Sequence, residues 1–218
     1  KRNPLGSQRA MLLSRGVVGT GGVIGALYAS ASLPLAIVSL LSFTAPLATA
    51  AAASITLKEP FPPELRAVAM LSMAGVLVLL EPWSASAAAL DPTAVFAAAV
   101  SPACIGLAAV LVRRLSTSGK PEHPQVVMLY LSTVTAVIAI GLCALTPGSL
   151  QPSPEALLRA WPALLLVGAA GWLSQLCITM SLARAPAALA SSMGYTQLVY
   201  TSLADMLIFG TVLKGSQL

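Results

Sequence analysis

Apolar residues in this sequence come in long unbroken runs, not in the two-residue alternation of strands. Runs bounded by charge, proline or glycine lie near 15–32, 35–57, 66–83, 93–112, 125–146, 161–182 and 186–209. Each approaches the ~20 residues that a helix needs to cross the hydrocarbon of a bilayer. The third is the weakest, since only 67–80 is free of charge, about 21 Å of helix. There Arg66 is placed to snorkel and Trp83 to anchor the other end. In hydrocarbon, backbone groups must pair within each helix or around a closed barrel. Barrel strands would alternate polar and apolar residues and these runs do not. The pattern therefore predicts an all-α, polytopic transmembrane bundle of about seven helices.

Composition agrees. Of 218 residues, 57% are hydrophobic and 9% charged, with a mean hydropathy of +0.86. Soluble domains carry about 25% charge, and so little polar surface could not cover so large an apolar interior in water. The net charge of +5 is spread singly or in pairs between apolar runs, which excludes a nucleic-acid face. Cys104, Cys143 and Cys177 each lie inside an apolar run, as small buried hydrophobes do. The chain opens Lys-Arg-Asn and its first run lacks a signal-peptide cleavage pattern, so Lys1 is expected not to be the natural start.

Alternate connections differ in charge. One set holds Lys1, Arg2, Arg9, Arg15, Lys58, Arg66, Arg113, Arg114, Lys120 and Arg184, and the other holds only Arg159 and Lys214 among basic residues. Basic connections stay inside, so residue 1 is expected on the cytoplasmic side of a multi-pass protein.

The two ends of the chain resemble each other. Gly19, Gly22, Leu27, Ser32 and Leu33 align with Gly168, Gly171, Leu176, Ser181 and Leu182 at an offset of 149. After an insertion near Pro186 the offset is 152, and Ala36, Ser39, Phe43, Thr44 and Thr49 fall on Ala188, Ser191, Tyr195, Thr196 and Thr201. The repeat would be five helices long; five is odd, so the second copy is expected to cross in the opposite sense. Inverted repeats of this kind build transporters that rock about a midplane site. A complete protein is expected to add two helices in front and one behind.

The residues Arg15-Gly16-Val17-Val18-Gly19 through Tyr28-Ala29, Leu33-Pro34-Leu35-Ala36, Phe43-Thr44-Ala45-Pro46-Leu47 and Leu57-Lys58-Glu59 resemble the third and fourth helices of an EamA-type repeat of the drug/metabolite transporter superfamily. Val112-Arg113-Arg114-Leu115, Tyr130, the stretch 168–181 and Ala185-Pro186-Ala187-Ala188 are similar to the second copy, and the solute carrier 35 G-like branch looks nearest. The resemblance divides the chain into 1–83, the end of a first repeat, and 92–218, the second. It implies a ten-helix fold and transport of metabolites such as nucleotide sugars, sugar phosphates, amino acids, carboxylates or drugs. Thr211 stands where Glu59 would have its counterpart, which weakens any paired role.

Asp205 is the acidic residue well inside an apolar run, where a bare carboxylate is costly. It is the candidate for proton coupling, against a plain hydrogen bond to a neighbouring helix. Tyr28, Ser42 and Thr44 from the first pair of related helices, with Gln175, Tyr195, Thr196, Gln197 and Tyr200 from the second, are the candidate substrate-binding residues. Interhelical hydrogen bonding, at about 0.6 kcal/mol per contact, is the blander use for each. Gly16, Gly19, Gly22 and Gly25 recur every three residues, and Gly21 with Gly25 suggests close helix contact; without a preceding strand, Gly19-Thr20-Gly21-Gly22 is not a dinucleotide loop. Pro46 and Pro102 are expected to kink helices, and His123 is an exposed lone histidine.

No nucleophile and base pair, phosphate loop or metal cluster can be assembled, so the expectation is a non-enzyme without cofactor or metal. The leading reading is a carrier for a small polar organic metabolite, working by alternating access. The alternative is an accessory or structural subunit of a larger membrane complex; a seven-helix receptor fits the helix count but not the odd-step repeat. Expected partners are the lipid bilayer and a small-molecule solute, with no nucleic acid, and a homodimer or larger assembly as a further candidate.

Overall fold

The computed structural model describes residues 6–33, 35–59, 91–145, 153–196 and 200, with a few isolated positions between 63 and 74. Among the described residues the α-helices follow in order: α1 Arg9–Ser32, α2 Leu35–Ser42, α3 Ala45–Thr56, α4 Pro92–Thr117, α5 Pro124–Leu145, α6 Pro154–Arg184 and α7 Ala187–Ser192. A 3-10 turn, Met193–Thr196, continues from α7. There is no strand among the described residues. Among the described residues four helices, α1, α4, α5 and α6, are long and apolar enough to span a membrane. Most of the 66–83 run and the 186–209 run beyond Thr196 lie outside the described residues.

Start signals place several boundaries. Asp91 caps α4, accepting from Thr93 N at 3.0 Å, and Pro92 follows where its missing N–H costs nothing. Ser153 caps α6 in the same way through Ala156 N at 3.3 Å, again with a proline next. α6 therefore starts seven residues before the expected 161, because Glu155 and Arg159 remain compatible with a helix whose first turns lie at the membrane surface.

The run 35–57 is one segment by hydropathy but two helices in the structure. The chain turns at Phe43-Thr44, where Thr44 N reaches back to Leu41 O at 3.0 Å. Pro46 then falls in the first turn of α3. The expectation of a kink inside a helix is thus corrected at Pro46: the helix has already stopped, and proline suits the restart. Pro102 does lie inside α4.

Glycine sets how closely α1 approaches its neighbours. A Cβ on Gly22 would stand 3.0 Å from Ile105 Cγ1 and 3.2 Å from Cys104 Cβ, and one on Gly16 would stand 2.9 Å from Val134. α1 therefore lies in a groove between α4 and α5. Gly21, expected to share this contact, has open space around it; Gly22 and Gly25 take the contact instead, because the α4 face falls one residue further along the turn. The tightest approach joins α4 to α3, since a Cβ on Gly106 would meet Thr49 N at 2.7 Å.

Two apolar clusters fix the directions of the helices. Leu12 of α1, Ala53 of α3, Leu115 of α4, Val127 of α5, Leu182 of α6 and Ala187 of α7 belong to one cluster. Ala29 and Leu33 join Val38, Leu41, Ala94 and Ala98 in another. At the first cluster α1, α5 and α7 begin while α3, α4 and α6 end. We call this end the basic face, since Arg113, Arg114, Lys120 and Arg184 gather there. Consequently α1 and α6 run antiparallel, and so do α3 and α7. The outer surfaces are apolar: Ile140 is 70% exposed, Leu145 80% and Leu166 73%, which lipid accommodates and water does not.

Candidate functional site

Polar groups inside the bundle meet where α1, α4 and α5 converge. Ser101 Oγ donates to Gly22 O at 2.7 Å, and the hydroxyls of Thr20 and Thr135 share a hydrogen bond of 2.8 Å. Each satisfies groups that lipid could not. Arg15 is only 6% exposed, and its Nε has no hydrogen-bond partner. A buried guanidinium is expensive in a membrane helix and marks a functional position by default. Sequence reasoning counted Arg15 as a connection residue and missed it. The available signal was its place two turns into a helix that begins at Arg9, beside Gly19, whose absent Cβ leaves room for Nη1 at 2.9 Å.

The basic face carries the most connected polar group. After α3, Lys58 takes a left-handed φ of 54° and turns the chain back on itself. Glu59 then reaches two other helices: Oε1 accepts from Arg113 Nε at 2.9 Å, and Oε2 from Ala187 N at 2.9 Å, the first amide of α7. Arg113 Nη1 also donates to Leu182 O and Ala183 O at 3.2 and 3.3 Å, two carbonyls left free at the end of α6. Both charged side chains are 16% exposed. One ion pair therefore ties the ends of α3, α4 and α6 to the start of α7.

A second carboxylate on this face holds α1. Glu122 Oε1 accepts from Ser7 Oγ at 2.7 Å and Gln8 N at 3.0 Å, and from Ser7 N. Burial pushes its pKa upward, but these hydrogen bonds outweigh it and hold the group below the usual glutamate range. At the opposite face Tyr28 Oη donates to Asp91 Oδ2 at 3.2 Å and shares a bond of 3.0 Å with Thr93 Oγ1. Bonds from the Thr93 side chain and backbone, and then from Tyr28, keep Asp91 below its ordinary value.

The candidate substrate residues occupy varied positions. Tyr28 is engaged at the start of α4 as just described. Ser42 Oγ donates to Val38 O, Thr44 Oγ1 to Leu41 O and Thr196 Oγ1 to Met193 O, all within their own turns. Gln175 is half-buried, with its carbonyl accepting from Thr179 Oγ1 at 2.8 Å. Tyr195 lies in the 3-10 turn and Tyr200 is 70% exposed, while Gln197 and Asp205 lie outside the described residues. No hydrogen bond found among the described residues joins one of these candidates to another. Among the same residues there is no group of three or more His, Cys, Asp or Glu side chains able to hold a metal.

Apolar membrane-length helices with bare apolar flanks define an integral, multi-pass membrane protein. The chain belongs to the EamA-like transporter family, whose pattern matches residues 92–218. It is 27% identical over 92% of its length to a probable transport protein of Saccharomyces cerevisiae, YPL264C, covering 61% of that protein. It is also 27% identical to the pseudopaline exporter CntI of Pseudomonas aeruginosa, over 88% of this chain and 64% of the exporter. An uncharacterized membrane protein of the same yeast, YMR253C, is 26% identical over 92% of the chain and 51% of that protein. The chain thus spans about half to two thirds of the length of these relatives. No solved structure matches it.

Proposed function

We propose that this chain forms the greater part of a carrier that moves a small polar organic solute across a membrane by alternating access. The observation that carries the reading is the junction at the basic face. There α1 runs antiparallel to α6 and α3 to α7, pairs that this reading takes as related, and Glu59 with Arg113 fastens the end of α3 to the start of α7. A carrier of this design needs a contact that closes one side and releases when the other side closes. An ion pair holding free helix-end groups suits that task, since water can replace each bond as it opens.

Family membership, the relative named as an exporter and the match beginning at residue 92 support the reading of 92–218 as one repeat and 1–83 as part of another. The basic face is the cytoplasmic one in this reading, and the carrier resembles the solute carrier 35 G-like branch. Tyr28, Ser42, Thr44, Gln175, Tyr195, Thr196, Gln197 and Tyr200 stay as substrate-binding candidates, with Asp205 for proton coupling.

Uptake into liposomes carrying the full-length protein tests the proposal, with a panel of polar organic solutes under solute and proton gradients. Glu59→Gln should shift the chain toward the state open at the basic face, with faster cysteine labelling from that side at Ser191. Absence of solute movement under every gradient would defeat the carrier reading. Undiminished, pH-insensitive uptake by Asp205→Asn would remove that residue from coupling.

A further inference from the structure

A cavity of about 380 Å³ lies at the basic face between the start of α5 and the end of α6. Its wall on α6 is a single helical stripe, Leu176, Met180, Ala183 and Arg184, and the α5 side supplies His123, Pro124 and Gln125. The stripe spans about 12 Å at 1.5 Å per residue. It runs from apolar side chains deeper in the membrane to a guanidinium at the surface, because α6 ends at this face.

The polar end is built to donate. Arg184 is exposed, and its guanidinium has no hydrogen-bond or ion-pair partner among the described residues. His123 Nδ1 accepts from Gln125 N at 3.3 Å. With Nδ1 accepting, Nε2 is the ring nitrogen left to donate. Two donors that favour an anion thus stand at one end of a slot whose other end is apolar. A solute soluble in water would leave Leu176 and Met180 uncovered, and an acyl chain alone would leave Arg184 without a counter-charge.

We propose that this cavity binds an anionic phospholipid, with its phosphate at Arg184 and His123 and an acyl chain along Met180 and Leu176. Basic pockets between transmembrane helices take anionic headgroups in this manner. The site is independent of the transport reading, and binding is measured without any solute.

The full-length protein is equilibrated with vesicles of phosphatidylcholine containing phosphatidylglycerol, extracted, and its retained lipid counted by native mass spectrometry. The wild type should hold phosphatidylglycerol in preference to phosphatidylcholine. Arg184→Gln should lower that retention about fivefold, since the bound headgroup loses its charged partner in the cavity, with His123→Gln in the same direction. Arg114→Gln removes an exposed charge from the same face but outside the cavity, and should change nothing. Retention unaltered by Arg184→Gln, or lowered equally by Arg114→Gln, overturns the proposal. So does displacement of the lipid by inorganic phosphate at equal concentration, since that would identify an anion site with no use for the apolar stripe.

Discussion

α1 and α6 carry glycines at matching places, Gly19 and Gly22 in one, Gly168 and Gly171 in the other, yet among the described residues only the first pair meets a neighbour. α1 is embedded between α4 and α5, with Leu12, Arg15, Gly16, Gly19, Thr20, Gly22 and Ala29 buried. α6 is exposed at every described position from 155 to 174, and its contacts with α4 and α5 include Arg113 on Leu182 and Ala183 and Thr179 on Met128. The comparison teaches that a small-residue pattern licenses close packing without supplying the partner. It also makes the basic face the place where α6 is fastened among the described residues, so the most damaging changes should fall there.

The largest effect is expected at Arg113. Replacing it with Met strands the Glu59 carboxylate and frees the Leu182 and Ala183 carbonyls together. Breaking one side of a mostly buried pair costs about 3 kcal/mol, so thermal unfolding in detergent should show a midpoint several degrees lower, with α6 amides near 180 exchanging first. Gln at position 59 keeps the acceptor for Ala187 N and should lose less. Equal stability of wild type and Arg113→Met would mean that α6 is held by contacts other than this junction.

Next comes the embedded side. Gly106→Ala puts a methyl 2.7 Å from Thr49 N and 2.9 Å from Ala48 C, both backbone atoms that cannot swing aside. Overpacking of this kind costs about 2 kcal/mol. The variant should unfold earlier than wild type, whereas Gly141→Ala, where the structure leaves open space, should not.

A smaller, pH-dependent effect belongs to Glu122. Its folded pKa lies below the ordinary glutamate value, so its hold on Ser7 and Gln8 is complete at neutral pH and above that ordinary value. The hold is lost as pH falls through the lowered one. Hydrogen exchange, corrected for its intrinsic pH dependence, should show the Ser7 and Gln8 amides losing protection only in that acid range. In Glu122→Gln the acid dependence should vanish.

Much of this fold was legible from hydropathy alone. Long apolar runs place α1, α4, α5 and α6 because lipid forces each backbone to satisfy itself. The break at Phe43-Thr44 was not legible, since no charge marks it and the lone cue, Pro46, suits a kink and a restart equally. The junction residues Glu59 and Arg113 were visible as charges in connections, but their meeting joins positions 54 apart in sequence and depends on the left-handed turn at Lys58. Arg15 was hidden for a related reason: a cation at the edge of an apolar run reads as surface until its helix is known to begin six residues earlier. The candidate substrate hydroxyls were chosen by depth, and depth does not say whether a Ser or Thr bonds back to its own turn, as Ser42 and Thr44 do.

The finest test of the comparison uses one substitution at both equivalent positions. At Gly22 an added methyl would lie 3.0 Å from Ile105 Cγ1 and 3.3 Å from Ile105 N, so Ala should destabilise by about 1 kcal/mol. At Gly171 nothing lies within 4 Å, and exchange of a mid-helix glycine for alanine gains about 0.5–1 kcal/mol from lost backbone freedom in the unfolded chain. The two variants should therefore move the melting midpoint in opposite directions. If Gly171→Ala instead lowers it as Gly22→Ala does, then α6 meets a close neighbour in the assembled protein, and the difference between the two helices belongs to the described residues and not to the repeat itself.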